Sequence, residues 1–516
     1  MARITCYDGV NCIGGNKILL EDGGKRLFFD FGTNFSEEGR YYEEFLKPKS
    51  CTGLYEHAQM GLLPALPDLY RPDLVSELCD PWRETDAGEI GEVSGVLVSH
   101  AHVDHMGAVH FLRRDIPIYC SPMTAGISKA MQDTGASSAL DDYCYCAPKQ
   151  DDPDIGLSTI DYRKASALAR SYRMTDAPSD DLTAFWSRPP ASREIDLAEE
   201  LRTDAHCAGM RIASFPVDHS VYGATAWAVE TGAGWVVYSG DLRMHGSYGD
   251  YTREFAAQAA KLDPIALILE GTRIEKDESP TEQSVRDACL DVVKRCKGLV
   301  VADFGPRNVE RLISFAEIAR ATGRRLAILP KDAYLLEAMR GVESAQNVPS
   351  IEDGPVRIYR EHSGAKDKWR ARLLERHAPL IVTPSDVSAA QDEFICCFSF
   401  WDVNEIAYIR PVPGSVWIYS SCEAFNEEMK FSGERLQHWI DKFGMRRVGR
   451  LLDDDSNDDP FHVSGHASKP DLMDIVRTIR PKVLIPVHTT KPEVYAQEVG
   501  DICEVRMPAK GVPIEL

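Results

Sequence analysis

Three histidines and an aspartate fall within six residues of this chain, at His100, His102, Asp104 and His105. Imidazole and carboxylate are ligands that suit borderline metal ions such as zinc. Histidines at i and i+2 of an extended segment point to the same side, and Asp104 and His105 follow a turn, so they can face a second ion. A structural role explains a single histidine, but four titratable groups packed at a strand end need a cation as partner. The segment therefore predicts part of a metal site.

One zinc ion usually takes four ligands, so further ligands must come from elsewhere in the chain. His219 and Asp241 each lie just beyond an apolar strand, as His100 does. His488 follows the apolar run 483–487 in the same way. We predict that His219 supplies a third imidazole to one ion and that Asp241 is a carboxylate able to bridge two ions.

The elements predicted around these residues change in kind along the chain. Residues 1–35 are typical of β-structure, with a hairpin turn at Asp22-Gly23-Gly24. From about residue 299 strands and helices alternate, which predicts a doubly wound domain with a parallel sheet. This domain lies inside the sequence of the metal domain, because features of the metal site return after residue 460. Residues 135–205 are a long stretch that we interpret as an insertion or a lid over the site.

Composition limits the classes of protein to consider. A chain of 516 residues with 44% hydrophobic residues predicts two or three globular domains. We expect a cytoplasmic protein without a membrane segment, because no apolar run is long enough and the N-terminus lacks a signal-peptide core. The 14 cysteines lack zinc-ribbon spacing and are expected to be reduced thiols. The net charge of −22 argues against a protein that coats nucleic acid, but not against a nuclease with one basic channel.

The whole pattern resembles the β-CASP branch of the metallo-β-lactamase superfamily, whose members are nucleic-acid hydrolases. The resemblance rests on the His100–His105 cluster, Glu270 after a strand, an α/β insert, and the motifs around His466 and His488. Within that branch the chain is most similar to the ribonuclease J type, and residues 462–468 and 484–488 carry this similarity. This implies an α/β fold, a metallo-β-lactamase αββα sandwich with an inserted β-CASP domain. The implied limits are 1–272 for the first part of the sandwich (with the insertion 135–205), 273–450 for the β-CASP domain and 451–516 for the return of the sandwich.

The resemblance also implies roles for individual residues. Two Zn²⁺ ions are expected, with Mn²⁺ or Mg²⁺ as alternatives; the first is held by His100, His102 and His219, the second by Asp104, His105 and His488, and Asp241 bridges them. His466 would protonate or stabilise the leaving oxygen, and Glu270 would orient His466. For Asp30, support of the ligand loop through hydrogen bonds and capping of a turn remain open. Ser464, Gly465 and Ala467 could cradle a phosphate of the RNA backbone. Independently of the resemblance, Ser420, Ser421, Arg307 and Asn308 are candidate phosphate contacts, because they lie where strands end and helices begin in the α/β insert.

The implied function is that of a zinc-dependent ribonuclease acting on single-stranded RNA, as a 5′-to-3′ exonuclease that could also act as an endonuclease. A β-CASP nuclease acting on DNA is one alternative, although a histidine at the last ligand position is associated with RNA-directed members. A small-molecule metallo-hydrolase would need neither the large insert nor a His466–Glu270 pair, and a non-catalytic binding subunit would be expected to lose ligands. Because the chain ends 28 residues after His488, we expect that the extra C-terminal domain common in the family is absent. A homodimer is left open.

Overall fold

Two β-sheets that pack face to face carry most of the candidate residues. They are seen in a computed structural model that describes residues 2–43, 45–83, 87–135, 142–197, 201–277, 280–305, 307–342, 344, 346–352, 354–362, 367–421, 427–451 and 459–516. Over these ranges the first sheet has eight strands, in the order Arg202–Thr203, Tyr172–Met174, Ile118–Cys120, Val96–Leu97, Lys25–Phe31, Lys17–Asp22, Arg3–Asp8 and Pro513–Glu515. The second sheet has seven, in the order His206–Cys207, Met210–Pro216, Thr225–Thr231, Gly234–Tyr238, Ala266–Leu269, Val483–Pro486 and Glu504–Val505.

The strand Ala266–Leu269 shows why the sheets stack. All four of its side chains are buried, and successive side chains point to opposite faces of a strand. Ala266 and Ile268 belong to the core between the two sheets, whereas Leu267 and Leu269 pack on the outer face. Helices Gly249–Ala260 and Lys469–Ile479 cover that outer face. A strand covered on both faces reads as a continuous apolar run, as this one does in the sequence.

A third sheet lies in the chain between Ala266–Leu269 and Val483–Pro486. Its seven described strands are all parallel, in the order Ile381–Val382, Val356–Tyr359, Arg325–Ile328, Phe394–Cys397, Val300–Asp303, Val416–Tyr419 and Arg446–Val448. The predicted α/β fold, a sandwich of two sheets with helices outside and an inserted α/β unit, is confirmed. The domain limits given above stay predictions.

Helices connect the strands and cover the sheets. The described α-helices are Phe35–Glu38, Tyr55–Gln59, Val103–Met106, Pro122–Thr134, Asp180–Trp186, Gly249–Ala260, Glu282–Arg295, Val309–Thr322, Pro330–Arg340, Lys368–Arg376, Pro384–Ala389, Glu405–Ile409, Glu427–Lys442, Lys469–Ile479 and Glu493–Val499. The residues after the helix Val103–Met106 form a short 3₁₀ segment, Gly107–Phe111. No helix within the described ranges is long and apolar enough to cross a membrane.

The described part of the stretch 135–205 contacts both the two-sheet sandwich and the unit built on the third sheet. Its strands Tyr172–Met174 and Arg202–Thr203 extend the first sheet in parallel register beyond Ile118–Cys120. Its helix Asp180–Trp186 reaches the third-sheet unit, where the Phe185 ring lies 5.3 Å from that of Tyr334. This part of the stretch therefore acts as a bridge; residues 136–141 and 198–200 lie outside the described ranges. Whether it also serves as a lid stays a prediction.

Candidate metal and catalytic site

Strand ends bring the candidate residues to one edge of the two facing sheets. Gly234–Tyr238, Ala266–Leu269 and Val483–Pro486 are parallel neighbours, so their carboxyl ends lie side by side. This edge is where functional side chains of such sheets are usually found. The residues that follow strands here are His100, His219, Asp241, Glu270 and His488.

Three imidazole nitrogens converge in the first donor set. His102 Nδ1 lies 3.0 Å from His100 Nε2 and 3.1 Å from His219 Nε2. Burial, together with neighbouring histidines, holds the pKa of His100 and of His102 well below its usual range. Burial likewise lowers the pKa of His219 to about 3. The rings are therefore neutral, and nitrogen lone pairs gathered in a buried pocket call for a shared cation.

The second donor set combines carboxylates and imidazoles. Asp104, His105, Asp241 and His488 each offer one donor atom, all within 4.8 Å of one another. Asp104 Oδ2 lies 3.3 Å from His488 Nε2 and 3.6 Å from His105 Nε2. Burial disfavours the ionised form of Asp104, but His105 and His488 outweigh it and lower its pKa. The set therefore presents an ionised carboxylate between imidazoles.

Asp241 lies between the two sets. Its Oδ2 is 3.0 Å from His105 Nε2, 3.7 Å from His488 Nε2, 3.8 Å from His100 Nε2 and 4.0 Å from His219 Nε2. Burial disfavours its charge, but His105 and His488 hold the pKa of Asp241 well below its usual range. One carboxylate oxygen is thus within reach of both donor sets.

The donor sets fit a metal cofactor better than a hydrogen-bond network. His105 Nε2 and Asp241 Oδ1 are buried without a hydrogen-bond partner among the described residues, although His105 Nε2 is only 3.0 Å from Asp241 Oδ2. Burial opposes a charge on His105, yet Asp241, Asp104 and Asp30 raise its pKa well above the usual range. The pocket therefore attracts positive charge strongly, and its donors are those of a divalent metal site.

Hydrogen bonds to Asp30, which is not itself in a donor set, fix the orientation of the metal-binding side chains. Asp30 is fully buried, and its carboxylate accepts from Ser99 N at 2.6 Å and from the Tyr238 hydroxyl at 2.6 Å. His105 Nδ1 lies 2.7 Å from Asp30 Oδ2. The contacts of Asp30 support the ligand loop, which is the first of the two roles left open above. Such partners set the ring orientation and the tautomer of a metal-binding histidine.

Sequence reasoning missed other supporting residues. Thr272 Oγ1 lies 2.8 Å from His488 Nδ1, and the Gly465 carbonyl lies 2.6 Å from His219 Nδ1. Gly32 lets the ligand loop approach, because a Cβ there would lie 1.7 Å from the Asp104 carbonyl oxygen. Thr272 follows Glu270 by two positions, and proximity to a strand-end acid was the available signal. A glycine carries no comparable signal.

His466 and Glu270 form a separate pair beside Asp241. His466 Nδ1 lies 3.1 Å from Glu270 Oε1 and 3.8 Å from Asp241 Oδ2. Burial opposes a charged ring, but Glu270 and Asp241 outweigh it and raise the pKa of His466 to about 9. The Glu270 carboxylate is 1% exposed, whereas the His466 side chain keeps 20% of its surface. With Nδ1 held by Glu270, Nε2 is the ring nitrogen left to meet a substrate.

The serine, glycine and alanine candidates for phosphate contacts differ in whether their polar groups face the site. The Ser464 hydroxyl accepts from His466 N, and Gly465 lies against His219, so both are at the site. The amide of Ala467 donates to the Leu242 carbonyl at 2.7 Å, so it cannot cradle a phosphate as expected. Ser420 is 2% exposed, and its hydroxyl donates to the Phe461 carbonyl, so the structure does not present it to the site. Ser421 is partly exposed, and its role stays a prediction.

The two helix-start candidates behave differently. Arg307 Nη1 donates to the Ala101 carbonyl at 3.0 Å, inside the ligand segment. Asn308 caps the helix Val309–Thr322 by accepting from Arg311 N at 3.0 Å. Arg307 therefore lies next to the site, whereas the side chain of Asn308 has a structural contact.

Two family models match the chain. The model described as "Beta-lactamase superfamily domain" matches residues 62–139, which contain the His100–His105 cluster. The model described as "Zn-dependent metallo-hydrolase RNA specificity domain" matches residues 459–498, which contain His466 and His488. The two matched regions therefore both contribute residues to this site.

Similar proteins cover nearly the whole chain. Ribonuclease J of Mycolicibacterium smegmatis is 22% identical over 495 residues, 95% of this chain and 69% of the relative. Ribonuclease J of Helicobacter pylori strain B128 is 19% identical over 493 residues, which are 94% of this chain and only 55% of that protein. A crystal structure of a protein of unknown function from Enterococcus faecalis V583 covers 100% of both chains with a TM-score of 0.65 and 22% identity, which shows the likeness of the fold.

Fold, site and family models together support a metal-dependent hydrolase whose matched regions are those of the β-lactamase superfamily and of Zn-dependent metallo-hydrolases. Within that class the chain is similar to the ribonuclease J proteins, at 22% and 19% identity to the two relatives named above.

Proposed function

We propose that the chain is a zinc-dependent ribonuclease that hydrolyses phosphodiester bonds of single-stranded RNA at a two-metal site. The observation that carries the proposal is the position of Asp241, whose Oδ2 lies within 4.0 Å of imidazole nitrogens from both donor sets. Two divalent ions held by these residues would supply Lewis acidity and a nucleophile derived from water at neutral pH. We propose two Zn²⁺ ions as the cofactor, with Mn²⁺ or Mg²⁺ as alternatives.

Residues of the chain itself would handle the leaving group. With Nδ1 bonded to Glu270, His466 can donate a proton from Nε2 to the leaving oxygen of the RNA. Glu270 stabilises the protonated ring and keeps it in one orientation. Ser464 and Gly465, which adjoin His466, would bind a phosphate of the RNA backbone.

The proposal extends to direction, location and assembly. We propose 5′-to-3′ exonuclease action with additional endonuclease action, following the type that the chain resembles. A cytoplasmic location agrees with the cysteines of the described ranges, which are all free thiols. A homodimer is proposed as the assembly, to be checked by light scattering at several concentrations.

The decisive experiment compares polymers and variants. Purified protein is incubated with 5′-labelled single-stranded RNA, matched DNA and circular RNA, with and without a chelator. We expect RNA to be degraded, chelation to stop the reaction, and Asp104→Ala to abolish it. Asp115→Ala is the matched control, because Asp115 is exposed and pairs with the surface residue Arg113.

Each outcome has a separate meaning. Wild-type protein that degrades neither polymer would exclude a nuclease, and a preference for DNA would favour the alternative. Cleavage of linear but not circular RNA would remove the endonuclease part. Full activity of Asp104→Ala would show that the metal assignment is wrong.

A further inference from the structure

A buried ionic cluster lies between the metal site and the inserted unit. Arg243 is fully buried and lies two residues after Asp241. Its guanidinium contacts Asp218 Oδ2 at 3.2 Å, Glu282 Oε1 at 3.6 Å and, more closely, Glu310 Oε2. A buried arginine normally needs such carboxylates, since its charge is costly away from water. Asp218 belongs to the sandwich, whereas Glu282 and Glu310 begin helices of the inserted unit.

Arg243 also contacts two further segments that end in the site. Asp218 immediately precedes His219, and the Arg243 amide donates to the Asp218 carbonyl at 2.8 Å. Arg243 Nη1 also lies 3.5 Å from the carbonyl of Ser464, two residues before His466. A Cβ at Gly246 would lie 2.5 Å from Nη2, so this glycine makes room for the side chain. Arg243 thus connects the segments of Asp241, His219 and His466.

Glu310 connects that arginine to the inserted unit. One of its carboxylate oxygens binds Arg243, and the other accepts from Ser247 N at 2.7 Å. Its neighbour Arg311, also fully buried, binds Glu282 at 3.0 Å and donates to the Phe461 carbonyl at 3.1 Å. Helix Val309–Thr322, which carries Glu310 and Arg311, is therefore tied to the segment that leads into the His466 motif.

We infer that Arg243 and Glu310 are positioning residues that hold the Ser464–His466 segment in register with the inserted unit. The inference rests on the proposed function, because the inserted unit is where a polymer longer than the metal site would be held. A small diester whose leaving group is p-nitrophenolate needs the metal site but no proton from His466. An RNA strand would need that proton and would contact both units at once. The cluster therefore affects turnover of RNA more than turnover of a small diester.

The test uses Glu310→Gln, which keeps the shape but places an amide where the carboxylate met Arg243. We expect kcat on RNA to fall about 10- to 100-fold, the order expected from a misplacement of roughly 1 Å. Zinc content and the hydrolysis of bis(p-nitrophenyl) phosphate should stay within about twofold of wild type, since the variant leaves every donor atom in place. Glu310→Asp, which retains the charge, should restore part of the RNA turnover.

Glu317→Gln is the matched control. Glu317 lies on the same helix and pairs with Arg286 of helix Glu282–Arg295, but the two side chains are 44% and 34% exposed, unlike the buried Glu310. The control should behave as wild type in every assay. Equal loss on RNA and on the small diester, or a Glu310→Gln protein indistinguishable from Glu317→Gln, would overturn the inference.

Hydrogen exchange separates this inference from the proposed function. In Glu310→Gln, amides of residues 461–468 should exchange faster than in wild type, and amides of 266–269 should not. This readout requires no substrate, so it decides the inference even if the wild-type protein cleaves no RNA. Unchanged exchange at 461–468 would show that the cluster does not position the His466 motif.

Discussion

Replacing Gly32 by alanine should damage one donor set and spare the other. The added Cβ would lie 1.7 Å from the Asp104 carbonyl oxygen, 2.1 Å from its carbonyl carbon and 2.6 Å from His105 N. Since van der Waals contacts of a carbon atom are favourable from about 3.5 Å, the Asp104–His105 backbone must move away by roughly 1–2 Å. These atoms are backbone, so rotation of a side chain cannot relieve the clash.

The cost can be estimated in stability and in rate. Overpacking of this kind typically costs about 1–3 kcal/mol. A shift of about 1 Å in a catalytic constellation can cost on the order of 100-fold in rate. Asp104 and His105 belong to the second donor set, whereas His219 and His100 are held by other contacts. We therefore expect bound zinc to fall from two ions to about one per chain.

The assays are zinc stoichiometry by plasma mass spectrometry, RNA turnover and thermal unfolding. Gly305→Ala is the control, because a Cβ at Gly305 meets nothing within 4 Å and its backbone is not left-handed. Two zinc ions per chain and wild-type turnover in Gly32→Ala would refute the reasoning that Gly32 admits the ligand segment.

Two further predictions concern buried carboxylates. Asp30→Asn removes an acceptor for His105 Nδ1 and for the Tyr238 hydroxyl, so zinc affinity in a chelator competition should fall about 10- to 100-fold; unchanged affinity would contradict the supporting role of Asp30. Burial raises the pKa of Asp303 in the third sheet to about 8, so the folded state favours the protonated carboxyl. The contribution of this group to the free energy of unfolding is therefore complete below the unfolded-state pKa and is lost as the pH rises toward about 8. Asp303→Asn should therefore raise the unfolding midpoint more at pH 8 than at pH 4, and an equal change at both pH values would count against it.

Sequence reasoning located the donors because they obey one rule of position. His219, Asp241 and His488 each follow an apolar strand, and the carboxyl ends of neighbouring parallel strands meet at one edge. The rule needs only strand ends and residue types, both of which can be read from one sequence. The residues so predicted lie together in the structure, while their roles as ligands stay predictions.

Other features could not be read in this way. Arg243 and Glu310 resemble any surface pair in a chain with 27% charged residues, and only the tertiary structure buries them together. The motif around His466 predicts Ala467 as a phosphate contact, and the end of a strand predicts Ser420, but their hydrogen-bonding groups satisfy backbone carbonyls. The strand Tyr172–Met174 is too short for its pattern to show that it extends the first sheet.

The point of insertion explains why the inserted unit can influence chemistry. The chain leaves the second sheet after Ala266–Leu269 and returns in Val483–Pro486, which pairs directly beside it in parallel. Glu270 lies at the exit, and His466 lies on the returning segment that leads to His488. The pair held at 3.1 Å therefore spans the two connections of the inserted unit to the sandwich. A displacement of that unit would therefore change the distance between Glu270 and His466. Arg243 opposes such a displacement, because it contacts both Glu310 of the inserted unit and the carbonyl of Ser464, two residues before His466.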